Sequence, residues 1–155
     1  IKSNGDIIIK KNNKKEIYNY KNAVRRVTLH KGSEKIDCEY KVVGSGEYET
    51  VKLLQIAIEG EVSLYENVYI GVTNPATTGG FSMNYSSVTY YISRRGSNKA
   101  INLRIGTTYS RRFRKIAKEF FKDCNDLIEK INTKSYFKRY GIASVVEYYN
   151  KNCTN

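Results

Sequence analysis

Few side chains in this sequence are chemically competent by type. They are three cysteines (Cys38, Cys124, Cys153), a single histidine (His30), a few close carboxylates, and a concentration of lysine and arginine. Zinc sites draw on cysteine and histidine at short spacing. Here the three cysteines lie far apart and no pair has a C-x₂₋₄-C separation, so the sequence predicts no metal site. No G-x-S-x-G elbow occurs, and no cysteine has a histidine near it in sequence. His30 ends an alternating run with Val27 and Leu29, which makes it a structural or surface side chain. Cys38 is flanked by Asp37 and Glu39, whose charges disfavour a thiolate, so it is a poor nucleophile. Glu59 and Glu61 flank Gly60 and read as exposed turn acids, not as an acid/base pair with separated pKa values. Gly44-Ser45-Gly46 lacks the third glycine and the following helix of a phosphate cradle and reads as a turn. Asn84-Tyr85-Ser86 and Asn152-Cys153-Thr154 match glycosylation sequons, a pattern common by chance. No catalytic residue and no cofactor follow from these patterns.

The basic residues are more informative. The net charge of +12 is unevenly spread. Residues 1–93 hold twelve basic and ten acidic side chains, residues 94–140 hold fourteen and four, and residues 141–155 hold one of each. The excess therefore sits at 94–140, where Arg94 and Arg95 precede Gly96 and Arg111, Arg112, Arg114, Lys115, Lys118 and Lys122 crowd one segment. Lys115, Lys118 and Lys122 recur at offsets 0, 3 and 7, and Arg111 extends the row backward, as on one helix face. Such a stripe attracts nucleic acid, acidic glycans or an anionic membrane surface; it equally serves as a solvated face that keeps the chain soluble. Fourteen tyrosines supply rings for stacking, but most alternate within strand-like runs, where they pack on a pleated surface. No helix-turn-helix, zinc-finger or RNP motif accompanies the charge.

The elements that position these residues fall into two regions. Up to about residue 105 the pattern is period two with turn residues between. Strand-like runs occupy 6–10, 16–20, 24–30, 36–43 and 51–58, with Leu54, Ile56 and Ile58 expected on one face. A hairpin turn at Glu59-Gly60 leads to Val62 and Leu64, then a further run at 68–72 and a loop at 73–84 carrying Pro75 and Gly79-Gly80. A second hairpin spans 85–105, with Val88, Tyr90 and Ile92 on one arm and Ile101, Leu103 and Ile105 on the other. The expectation is an antiparallel sheet or barrel-like β body over about 6–105.

After Gly106 the period changes. Ser110 is a helix cap by type, and Phe113, Ile116, Ala117, Phe120, Phe121 and Cys124 lie at helical offsets on one face. Asp126 opens a short second helix with Leu127, Ile128 and Ile131. A third follows Gly141 with Ile142, Val145, Val146, Tyr149 and Cys153. The class is α+β: a β-rich body at 1–105 and about three helices within 106–155. Without a proline-, glycine- or serine-rich linker, 1–155 reads as a single domain. No apolar run approaches the ~20 residues of a membrane-spanning helix. The sequence begins at Ile1, and the lack of a leader within it says nothing about localisation. Cys124 and Cys153 each extend a helical apolar stripe by one turn. From pattern alone, a disulfide in an oxidising compartment and two buried thiols in a reducing one weigh equally.

The run LLQIAIEGEVSLY (53–65), then YYISRRG, FRKIAKEFFKDCNDLIEKI and VVEYYNKNC, resembles a family of uncharacterised exported proteins of Bacteroidetes-type bacteria. That family combines a β-rich region carrying an "LVEGKVSLY"-like hairpin with C-terminal helices holding a cysteine pair. The resemblance covers about 53–153. It implies an extracytoplasmic protein, periplasmic or secreted, in which Cys124 and Cys153 form a disulfide. It supplies no counterpart for Cys38 and no catalytic residues. The expectation is a non-catalytic binding or envelope-associated domain. The alternative is a polyanion-binding module using Arg94, Arg95, Arg111, Arg114, Lys115, Lys118 and Lys122, with an enzyme of unknown class third. The partner itself, whether a polyanion or an envelope component, is not specified by any motif.

Overall fold

The computed structural model describes residues 6–12, 14–22, 25–72, 84–103, 111–133 and 141–154. Eight strands precede three helices among them. The strands are β1 (Ile7–Lys11), β2 (Lys14–Tyr18), β3 (Arg26–Lys31), β4 (Glu34–Val43), β5 (Thr50–Ile58), β6 (Val62–Val72), β7 (Asn84–Arg94) and β8 (Lys99–Asn102). The helices are α1 (Arg111–Phe120), α2 (Asn125–Asn132) and α3 (Gly141–Asn152). The α+β class and the order of its two regions are as the sequence predicts. The readings that fall on Val24, the 73–83 loop, Ile105 and Ser110 lie outside the described residues.

Among the described residues β1 and β2 pair only with each other. β3 to β8 form one sheet in sequence order, antiparallel at each consecutive step, and β4 also pairs with β8. That extra pairing closes β4-β5-β6-β7-β8 into a five-stranded ring. In an antiparallel meander the first and fifth strands run the same way, so the closing pair must be parallel. It is parallel, with Val42 opposite Lys99 and Val43 opposite Ala100. The Val42 N–H donates to the Asn98 carbonyl at 2.8 Å. β3 flanks the first half of β4 on the side where β8 takes the second half. Gly44 turns the chain out of β4 at φ +102°, and a Cβ there would stand 2.3 Å from the Tyr48 carbonyl oxygen. Only glycine fits this turn.

The sheet has two covered faces and hence two cores. Val43, Leu54, Tyr65, Tyr91 and Ala100 fill the ring, with Ile56 packed against them. On the outer face Val62, Leu64, Ile92 and Leu103 meet Phe113, Ala117, Phe121, Leu127, Ile131, Ile142, Val145, Val146 and Tyr149 of the helical layer. Strand β6 therefore buries four consecutive residues, Val62 to Tyr65, because both of its faces are covered. Each fully buried Phe, Leu or Ile contributes about 1.5–3 kcal/mol of transfer free energy.

Two expectations are corrected here. Ile58 does not share a face with Leu54 and Ile56. The register shifts between Ile56 (opposite Tyr65) and Ile58 (opposite Leu64). The extra residue, Ala57, is a bulge that flips Ile58 outward onto the helical core. Cys124 does not continue the α1 stripe, because α1 stops at Phe120 and a turn intervenes. Cys124 is the N-cap residue of α2.

Candidate functional site

Helix α1 carries its apolar residues Phe113 and Ala117 inward, with Ile116 and Phe120 along the margin. At 100° per residue Arg111, Lys115 and Lys118 lie opposite, with Arg112 and Glu119 on one flank of them and Arg114 on the other. Arg111, Lys115 and Lys118 are exposed and Arg114 is half-buried. Among the described residues none of the four forms an ion pair. Lys122, in the turn beyond α1, is exposed and lies 3.6 Å from Glu119. The outward face of α1 is thus a row of cations, none in an ion pair among the described residues, with Glu119 at its flank.

Arg94 and Arg95 have different roles from the row. Arg94 is engaged in the fold. Its Nη1 donates to the Tyr149 hydroxyl at 2.7 Å, and its Nη2 donates to the Phe120 carbonyl at 2.8 Å and to Asp123 at 3.1 Å. The Tyr149 hydroxyl in turn donates to the other Asp123 oxygen at 2.7 Å. Arg94 lies 5.1 Å from the Phe120 ring centroid and 5.4 Å from that of Tyr149. It clamps the end of β7 to the α1–α2 turn and to α3. Burial alone would raise the Asp123 pKa, but the hydrogen bonds from Arg94 and Tyr149 outweigh it and hold the carboxyl below its ordinary value. Arg95 faces Glu61 at 3.4 Å and is largely exposed.

Between α1 and β8 runs a groove of about 490 Å³. Ile101, Ile116 and Phe120 provide its apolar surface, and Lys115, Glu119, Lys122 and Arg94 are its charged members. Ile101 is 44% exposed, unusual for an isoleucine beside a helical layer. The cationic row therefore borders an apolar slot.

The sequence reading missed a second charged site, at one end of the ring. A cavity of about 440 Å³ there includes Arg26, Glu39, Lys41, Glu59, Tyr65 and Arg95 in its lining. Lys41 is almost fully buried; its ammonium meets Glu39 at 2.9 Å and the Ser97 carbonyl at 2.6 Å. The Tyr65 hydroxyl donates to Glu39 at 2.6 Å. Burial first, then the Glu39 carboxylate, pushes the Tyr65 phenol well above its usual range. Arg26 grips Glu59 through both nitrogens at 2.6 and 3.0 Å, and this hydrogen bonding lowers the Glu59 pKa. Glu39 and Lys41, opposite charges two apart on one strand face, are the signal in sequence that marks this network.

His30 is exposed on β3, opposite Lys35. Cys38 is buried, and burial, followed by the Asp37 charge, raises its thiol pKa. Among the described residues no three His, Cys, Asp or Glu side chains converge as metal ligands. Cys124 and Cys153 stand at disulfide distance, with Cα atoms 5.7 Å apart.

No protein-family model, curated protein or solved structure matches this chain. Its chemistry is therefore read from its own side chains. No helix of the described residues is long and apolar enough to cross a membrane.

Proposed function

We propose that this chain is a non-catalytic binding domain, exported to an oxidising compartment, whose outward α1 face holds an anionic polymer or surface. The observation that carries the reading is the row Arg111, Arg114, Lys115 and Lys118 on one short helix, none of which forms an ion pair among the described residues. Several cations elsewhere are paired, Arg26 with Glu59, Lys41 with Glu39, Arg94 with Asp123 and Lys99 with Glu49, whereas Lys10, Lys14 and Lys15 of the β1–β2 hairpin form a second group without ion pairs among the described residues. Unpaired cations at helical spacing release counterions when they meet successive phosphates or sulfates. The cysteine pair at disulfide distance supports an extracytoplasmic location, as does the resemblance to exported Bacteroidetes-type proteins.

Heparin affinity measured against salt tests this. Lys115→Glu with Lys118→Glu is expected to weaken binding and to reduce the slope of log K against log salt by about 2. Lys14→Glu with Lys15→Glu makes the same change in net charge on the exposed strand β2. An equal loss in both variants, or no retention of the parent at low salt, defeats the assignment to α1.

A further inference from the structure

The ring accounts for only part of β6 and β7. β5 pairs with β6 as far as Glu66, and β8 pairs with β7 at Tyr91 and Ile92. Beyond these points β6 and β7 continue together, from Asn67 opposite Thr89 to Val72 opposite Asn84. Among the described residues no other strand pairs with this two-stranded arm. Its composition is as unusual as its exposure. Of the ten exposed large hydrophobic residues among those described, five lie on it: Val68 (48%), Tyr69 (58%), Ile70 (75%), Tyr85 (46%) and Val88 (39%). Cross-strand register puts Val68, Ile70 and Val88 on one face and Tyr69 and Tyr85 on the other, with the two rings 6.0 Å apart. Residues 67–93 contain no charged side chain, although charged residues make up 27% of the chain.

An unpaired, apolar strand edge is normally protected by lysine, by charge directed at the approaching strand, or by a covering element. Residues 67–93 carry no such charge and, among the described residues, no strand covers the arm, in a protein that carries twelve positive charges in excess. That combination selects the partner. A protein of net charge +12 repels its own copy everywhere except where its surface is uncharged, whereas a partner of opposite charge would be drawn to the basic face instead. We propose that the β6–β7 arm is a self-association surface, through which two copies add arm to arm as an extended antiparallel sheet. Pairing satisfies the edge N–H and C=O groups, and the faces bearing Val68, Ile70 and Val88 join into one apolar surface.

The two proposals respond oppositely to salt. Polyanion binding weakens as salt rises. Self-association strengthens, because screening removes the like-charge repulsion between copies. The test is sedimentation equilibrium of the full chain across protein concentration at low and at moderate ionic strength. The expected result is a rise from 17.8 kDa toward twice that mass, at lower protein concentration when salt is higher. Ile70 is exposed in the single chain, so Ile70→Lys should leave the circular dichroism of the parent unchanged; it is expected to weaken association at least about tenfold. Val88→Lys, on the opposite strand, should do the same. A parent protein that stays at 17.8 kDa throughout overturns the proposal, as does an Ile70→Lys protein that associates like the parent. Flotation with phosphatidylcholine vesicles separates a lipid role: a monomer that floats with them, and stops doing so as Ile70→Lys, assigns the arm to a bilayer and refutes self-association.

Discussion

Replacing Arg94 separates the stabilising arginine from the binding ones. Arg94→Ala removes two hydrogen bonds to uncharged partners, the Tyr149 hydroxyl and the Phe120 carbonyl, worth about 1 kcal/mol each. It also removes the ion pair with Asp123. Both side chains of that pair are well over a third exposed, so the pair is screened and contributes only a few tenths of a kcal/mol. The contacts with the Phe120 and Tyr149 rings add roughly 0.5 kcal/mol. The total is about 2–3 kcal/mol, and in a chain of this length it lowers Tm by about 5–10 °C. Arg94→Lys keeps the charge but loses the fork that reaches three partners, so it recovers less than half of the loss. The assays are calorimetric unfolding and, on the folded variant, heparin affinity, which should fall less than in Lys115→Glu with Lys118→Glu. A Tm for Arg94→Ala within about 1 °C of the parent, or complete recovery by Arg94→Lys, refutes the clamp.

Two further outcomes follow from the same geometry. A bond between Cys124 and Cys153, 29 residues apart, stabilises by roughly 3–4 kcal/mol in the chain-entropy model. Reduction, or Cys124→Ser with Cys153→Ser, should lower Tm accordingly, and non-reducing mass of the exported protein should show two hydrogens fewer than the reduced form. The Tyr65 phenol is raised by burial and by Glu39, so its contribution to stability is complete below the ordinary tyrosine pKa of about 10 and declines as pH rises above it. Denaturant midpoints from pH 8 to 11 should therefore fall more steeply in the parent than in Tyr65→Phe; parallel curves refute the role assigned to Tyr65.

The helical region was legible in detail because one covered face leaves a clean period. Ile142, Val145, Val146 and Tyr149, read as one stripe, are all buried, as are Leu127 and Ile131. The sheet was legible as strands but not as a surface with two covered sides. Period two identifies which residues share a face, yet a one-residue bulge reverses that assignment downstream, as at Ile58. Ring closure rests on two residue pairs, Val42–Lys99 and Val43–Ala100, which no local pattern announces. Spacing placed Arg111, Lys115 and Lys118 on one helix face, but it also counted Lys122, which stands in the turn beyond the end of α1 at Phe120. The commitment of Arg94 to Asp123 and Tyr149 was not readable, since its partners lie 26 or more residues away in sequence. The Glu39–Lys41–Tyr65 network was missed because charged residues in a strand are ordinarily read as solvent-facing.

The parallel seam between β4 and β8 also bears on how the molecule assembles. Every other strand pairing within the ring joins strands consecutive in sequence and forms by zipping up a hairpin. The seam instead joins residues more than fifty positions apart through two residue pairs and the buried reach of Lys41 to the Ser97 carbonyl. The closure entropy of that long loop must be met before so short a junction returns any bonds, so the ring shuts only after the meander is in place. In kinetic terms the seam is expected to be the last piece of sheet to form and the first to part on unfolding.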